Sequence, residues 1–300
     1  MIKTLDQMVE KVLALGKRHR IAVAWAQDYN TIRAVSKAVR DGIAEAVLVG
    51  REDEIIAVCK KLYVDYSEFV FINANDDISA SEEAVRLVKT GEADIIMKGL
   101  VGTDKFLKAV MNKQNGLMLP DAVLSYVGAI EVPAYHKLLF ITDTAVIPYP
   151  SLSQKTAMAE YAIEMAGRFG VERPRLALIG ASEKKSDHFS YTNDYIEMCR
   201  NAKEGKFKNC IMDGPLDLFL ACDRKSPEIK GVPTPVDGNA DILLFPSLES
   251  CNPFYKSLML FGGGELAGLI MGTEKPVVLM SRSESEKSKY YCIALACLMA

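Results

Sequence analysis

Nine short apolar runs recur along the chain, and they restrict its fold more than any other feature. They are IAVAWA (21–26), EAVLVG (45–50), EFVFIN (68–73), ADIIMKG (93–99), KLLFITD (137–143), RLALIG (175–180), KNCIMDG (208–214), ADILLFP (240–246) and KPVVLMS (275–281). Most are apolar at consecutive rather than alternate positions, which indicates strands buried on both faces. Between many of them lie helical patterns: DYNTIRAVSKAVRDG, SEEAVRLVKTG, KTAMAEYAIEMAGRFG and NDYIEMCRNAKEG. These open near Asp, Asn or Ser and several close at Gly, the residues that start and stop helices. Doubly buried strands alternating with helices predict an α/β protein with mostly parallel sheets and helices on both faces.

Nine strands are many for one sheet with helical crossovers, so two α/β/α lobes are expected. IPYPSLSQ (147–154) brings two prolines and polar residues after a strand and marks a crossing. The expected division is 1–148 plus 274–300 for the first lobe and 149–273 for the second, with a cleft between them. The triple glycine at 262–264 follows a helical pattern, so it reads as a helix end and not as a phosphate loop. At the N-terminus, Ile2, Leu5, Met8, Val9, Val12 and Leu13 fall at helical spacing, giving an amphipathic helix and no signal pattern.

Charge and motif content narrow the function. The formal net charge is -3, with both signs interspersed, so no basic surface for nucleic acid or membrane is indicated. No apolar run approaches the roughly 20 residues of a membrane span, and a cytoplasmic location is expected. Seven cysteines, an odd number without C-x-x-C, predict buried reduced thiols. Three distant histidines predict no metal site. The P-loop, the dinucleotide fingerprint and the G-x-S-x-G elbow are all missing.

In open α/β sheets, ligands bind outside the carboxyl ends of strands, where helix N-termini offer unpaired N–H groups to anions. The runs above place Lys98 and Gly99 at one such end, followed by Gly102, Thr103 and Lys108. Others offer Thr142 and Asp143, Ser182 to Lys184, Asp213 and Gly214, Pro246 with Asn252 and Lys256, and Ser281 with Arg282. The set is cationic and hydroxylic with few carboxylates. It suits a phosphate-bearing ligand better than a metal cage or a glycosidase pair. Arg282 stands out, because a guanidinium beside a hydroxyl directly after a buried strand makes a phosphate clamp.

ADIIMKGLVGT, EVPAYHKLLFITD, MDGPLDL, ADILLFPSLESCNPFYKSL and AGLIMGTEKPVVLMSRSES, in that order, resemble the phosphate acetyltransferase/phosphate butyryltransferase family. The form of the last two blocks is more similar to the butyryl enzymes. The resemblance implies reversible transfer of an acyl group from acyl-CoA to inorganic phosphate, with butyryl-CoA favoured and coenzyme A a substrate, not a cofactor. It also implies an isocitrate/isopropylmalate dehydrogenase-like fold and a homodimer or higher homo-oligomer. Ser281 is then expected near the CoA sulfur. Arg282, Lys108, Lys98, Gly99 and Thr103 are expected around phosphate, and Asn252 and Lys256, with Ser281, at coenzyme A. Four positions depart from the family pattern: Ser288 and Leu260 replace an Asp and an Arg of acetyl enzymes, and Ile147 and Phe219 replace an Asn and an Asp. The general base stays unassigned, with Glu284 and Glu286 nearby. Acetyl transfer, a metal- and NAD-dependent dehydrogenase of the same fold class and a non-catalytic binding protein remain alternatives.

Overall fold

Side-chain caps and apolar spacing set where each element begins. The computed structural model describes residues 1–281 and 284–300. Helix α1 (Leu5–Leu15) buries Leu5, Met8, Val9 and Val12 along one face. The chain continues through β1 (His19–Ala24), α2 (Tyr29–Arg40), β2 (Ala44–Gly50), α3 (Glu52–Lys61), β3 (Val70–Asn73), α4 (Asp77–Lys89), β4 (Ile95–Lys98) and α5 (Thr103–Val110). Asp28 caps α2 by accepting from the Thr31 N–H, and Asp76 with Ser79 forms a capping box on α4.

The next stretch runs β5 (Ser125–Glu131), β6 (Leu139–Thr142), α6 (Leu152–Arg168), β7 (Arg175–Ile179), α7 (Tyr191–Lys203), β8 (Ile211–Leu216), α8 (Leu218–Cys222), α9 (Ser226–Lys230), β9 (Ile242–Leu244) and α10 (Leu248–Leu260). The chain ends with β10 (Glu265–Met271), β11 (Val277–Val278) and α11 (Glu286–Met299). Two compact units result. The terminal unit is Leu5–Leu124 with Leu266–Ala300, and the middle unit is Ser125–Glu265 with Met1–Thr4.

In the terminal unit the strand order is β3-β2-β1-β4-β11-β10. All neighbours are parallel except β10 against β11. In the middle unit the order is β5-β6-β9-β7-β8, parallel except β5 against β6. The mostly parallel α/β class expected from the sequence is therefore the class observed. Central strands are buried along their whole length, β4 and β9 at every residue, as helices on both faces require. Each fully buried Leu, Ile or Val contributes about 1.5–3 kcal/mol of hydrophobic stabilisation.

The structure corrects three details of the sequence reading. SYVGAIE and ELAGLIM are strands β5 and β10, which the nine-run pattern did not include. Asp213 and Gly214 lie inside β8 rather than at its end, where the Asp213 carboxylate accepts the Thr234 hydroxyl at 2.6 Å. Leu13 is exposed and so stands off the buried face of α1. The triple glycine does close a helix: the Gly262 and Gly264 N–H groups both donate to the Leu258 carbonyl at 3.0 Å.

Candidate active site at the carboxyl ends of β4 and β11

β4 lies between β1 and β11, with Ala24 beside Lys98 and Val278 beside Met97. The carboxyl ends of these three parallel strands therefore sit side by side, and each leads towards a helix N-terminus. Lys98 is 4% exposed although it ends its strand, and its Nζ reaches the Gly99 carbonyl at 3.3 Å. The Gly99 N–H donates to the Ala24 carbonyl at 2.9 Å and the Leu100 N–H to the Trp25 carbonyl at 2.8 Å. The turn after β4 is thus laced to the end of β1. A methyl on Gly99 would lie 2.4 Å from the Trp25 carbonyl oxygen, which is why the position is glycine.

Gly102 caps α5 with extended backbone and no side-chain bond, so no side chain at the cap competes for the first N–H groups of that helix. Thr103, its first residue, is exposed. Asp104 adds a carboxylate to the same turn, close against Gly102. Lys108 is exposed in the last turn of α5, about 7–8 Å along the axis from Thr103 at 1.5 Å per residue. Ser281 is exposed three residues past β11, and its carbonyl accepts the Glu284 N–H at 3.2 Å. Lys98, Gly99, Thr103 and Ser281 thus share one edge of the terminal unit, and Lys108 stands at the far end of α5. Arg282 lies outside the described residues.

Asn252 and Lys256 belong to the middle unit, on α10. The Asn252 amide donates to the Thr144 carbonyl at 2.7 Å, and Lys256 is exposed one turn later. Thr144 follows Asp143, a buried carboxylate that accepts the Ala145 and Val146 N–H groups at 2.7 and 3.0 Å. Burial pushes the Asp143 carboxyl above the ordinary range, against those donors, which favour the anion. Ile147 is buried in the same turn and donates its N–H to Asp143 at 3.3 Å. Phe219 and Leu260 are exposed at 69% and 76%.

Sequence reasoning missed a buried charge cluster behind the edge. Lys289 of α11 is 2% exposed, with its Nζ 3.3 Å from Asp28 and 3.4 Å from the Thr31 hydroxyl. Burial works against the Asp28 anion, but Thr31 and Lys289 outweigh it and hold its carboxyl below the ordinary range. In a run reading SEKSKYY nothing distinguishes this lysine from its solvated neighbours. Ser288 is also buried, and its hydroxyl accepts the Leu266 N–H at 3.1 Å. Of the two glutamates near Ser281, Glu286 pairs with Arg33 at 3.6 Å. Among the described residues no cluster of three or more His, Cys, Asp or Glu could hold a metal, and no helix is long and apolar enough to cross a membrane.

Mostly parallel α/β units with a lysine, a glycine turn and hydroxyls at adjoining strand ends define an α/β protein suited to anionic ligands. Residues 78–297 match the phosphate acetyl/butaryl transferase family. Over its full length the chain is 38% identical to a phosphate butyryltransferase of Clostridium acetobutylicum, covering 99% of that protein. It is 34% identical to a phosphate acetyltransferase of Thermotoga maritima, over 99% of each chain. The structure of a branched-chain phosphotransacylase from Enterococcus faecalis V583 superposes with a TM-score of 0.82 at 28% identity, over 93% of this chain and 99% of that one. The chain belongs to the phosphate acetyl/butaryl transferase family. Its reaction class is phosphate acyl transfer, with an acyl-CoA and phosphate as substrates.

Proposed function

We propose that this protein is a phosphate butyryltransferase, moving a short acyl chain from coenzyme A to inorganic phosphate, and that the β4–β11 edge is where it does so. The observation that carries the chain-length preference is the full-length likeness to a butyryltransferase. Two positions add to it. Where acetyl enzymes carry an Asp and an Arg, this chain has a buried Ser288 bonded to Leu266 and an exposed Leu260.

The chemistry asks for positioning and charge stabilisation more than for a base. An oxygen of hydrogen phosphate attacks the thioester carbonyl carbon; the C–O bond forms and the C–S bond breaks. The electron pair leaves on sulfur as a thiolate, and the phosphate proton ends on that sulfur to give the coenzyme A thiol, which resembles a cysteine thiol with a pKa of about 8.5. In this reading Arg282, Lys98 and Lys108 hold phosphate, with the backbone N–H groups that open α5 behind Gly102. The Ser281 hydroxyl donates to the sulfur as charge develops there. Asn252 and Lys256 contact coenzyme A, and the protein works as a homodimer, which light scattering checks.

The test mixes protein, phosphate and either butyryl-CoA or acetyl-CoA and follows released thiol. Each methylene in an apolar pocket discriminates by about 1–3 kcal/mol, so butyryl-CoA is expected to win by at least tenfold in kcat/KM. A preference for acetyl-CoA overturns the chain-length assignment. No thiol release with either overturns the reading altogether.

A further inference from the structure

The Lys289–Asp28 pair joins residues 261 apart in sequence and is largely withdrawn from water, at 3% and 15% side-chain exposure. Such a pair is a poor choice for stability alone. Desolvating two charges costs as much as their attraction returns, and apolar side chains of similar volume often do better. Its position suggests another use. Asp28 caps α2, the helix that follows β1, and holds the Thr31 N–H at 2.8 Å and the Thr31 hydroxyl at 2.5 Å. Lys289 sits in the first turn of α11, its N–H bonded to the Ser285 carbonyl at 3.1 Å, eight residues after Ser281. β1 and β11 are the two neighbours of β4. The pair therefore ties together the two turns that flank the Lys98–Gly99 turn.

We infer that Lys289 and Asp28 are positioning residues: their buried ion pair fixes the Ser281-bearing turn relative to Lys98 and Gly99. The inference rests on the proposed role of that edge in acyl transfer. A directional, charge-assisted contact sets an angle and a register that an apolar contact between the same helices leaves loose. The other contacts of that first turn do less: Ser288 accepts from Leu266 of β10, not from α2, and the Glu286–Arg33 pair, 3.6 Å apart, is exposed and screened by water. Tyr290 and Tyr291 donate to Asp41 and Asp6, at 2.7 and 2.5 Å, further along the helix.

Asp28→Asn separates the ion pair from the cap, because Asn caps a helix as well as Asp does. Lys289→Met removes the charge and keeps an unbranched chain. Each single variant is expected to lower kcat by about 10- to 100-fold, the effect of a displacement near 1 Å, while KM for both substrates moves by about twofold or less. The double variant Asp28→Asn/Lys289→Met carries no buried unpaired charge. It is expected to regain the unfolding midpoint of the wild type but not its kcat. Recovery of kcat together with the midpoint, or a single variant with normal kcat, overturns the inference. Should Lys289→Met fail to fold, Asp28→Asn alone still decides: lowered kcat with KM nearly unchanged supports the inference, and normal kcat overturns it.

Trp25, the sole tryptophan, lies three residues before Asp28 at the end of β1 and gives a readout independent of turnover. Acrylamide quenching of Trp25 is expected to increase in both single variants and to remain increased in the double variant. Wild-type protein that releases no thiol refutes the functional reading, whereas unchanged quenching in all three variants refutes the ion pair as a positioning device.

Discussion

Gly99 cannot take even a methyl group without moving the end of β1. The added carbon would lie 2.4 Å from the Trp25 oxygen and 2.7 Å from the Ala24 oxygen, both backbone atoms that cannot rotate away. Gly99→Ala is therefore expected to destabilise by about 1–3 kcal/mol, the usual cost of overpacking. Urea unfolding followed by Trp25 emission measures it, and an unchanged midpoint means the two strand ends are not so close. Arg282 invites a different measurement. If it holds phosphate against the thioester, Arg282→Ala removes a charge-stabilising donor whose loss costs about 3 kcal/mol, or roughly two orders of magnitude in kcat/KM. Near-normal turnover at low phosphate takes the clamp away from this residue and leaves Lys98 and Lys108 to account for anion binding.

At the scale of elements, α11 is fastened at its first turn by three separate bonds. Ser285 caps it by accepting the Ser288 N–H at 2.9 Å, Lys289 reaches Asp28, and the Ser288 hydroxyl accepts the Leu266 N–H at the start of β10. Ser288→Ala strands that buried N–H and is expected to cost about 1–3 kcal/mol. Ser288→Asp restores the residue of acetyl enzymes but places a carboxylate in the same buried position. It is expected to be less stable than the alanine variant and to gain nothing in kcat. A rise in kcat would show that the position can still serve as a base. The missed strands explain themselves at this scale too. β5 and β10 each contain a glycine, at Gly128 and Gly268, and each pairs antiparallel with its neighbour, β6 or β11. An antiparallel strand needs no helical crossover, so neither stood out in a pattern of strands alternating with helices. Lys98 and Gly99 were legible because they end an apolar run. Lys289 was not, because a buried cation in a helix is defined by its partner, and Asp28 is 261 residues away.

For the molecule as a whole, burial governs what its thiols and His19 do. It pushes the thiols of Cys199, Cys210, Cys292 and Cys297 up to about 12 and that of Cys222 to about 11, so the native protein adds little thiolate to a thiol-release assay. The same effect gives the fold an acid limit through His19. This residue begins β1 at 4% exposure, its Nδ1 is buried without a hydrogen bond, and Asp94 is 3.7 Å away. Burial holds its pKa below the ordinary value; Lys17 and Lys275 reinforce that, and Asp94 opposes it. The unfolded chain, with an ordinary imidazole near pKa 6.5, then binds a proton before the folded one does. The neutral His19 contribution is fully present above about pH 6.5 and is lost as pH falls through the depressed folded value. Unfolding free energy, read from Trp25 in the same unit, is expected to be level from pH 8 to 7 and to decline towards pH 5. His19→Phe, which has nothing to protonate there, is expected to flatten that decline, whereas an equal slope in the two proteins assigns the acid sensitivity to other groups.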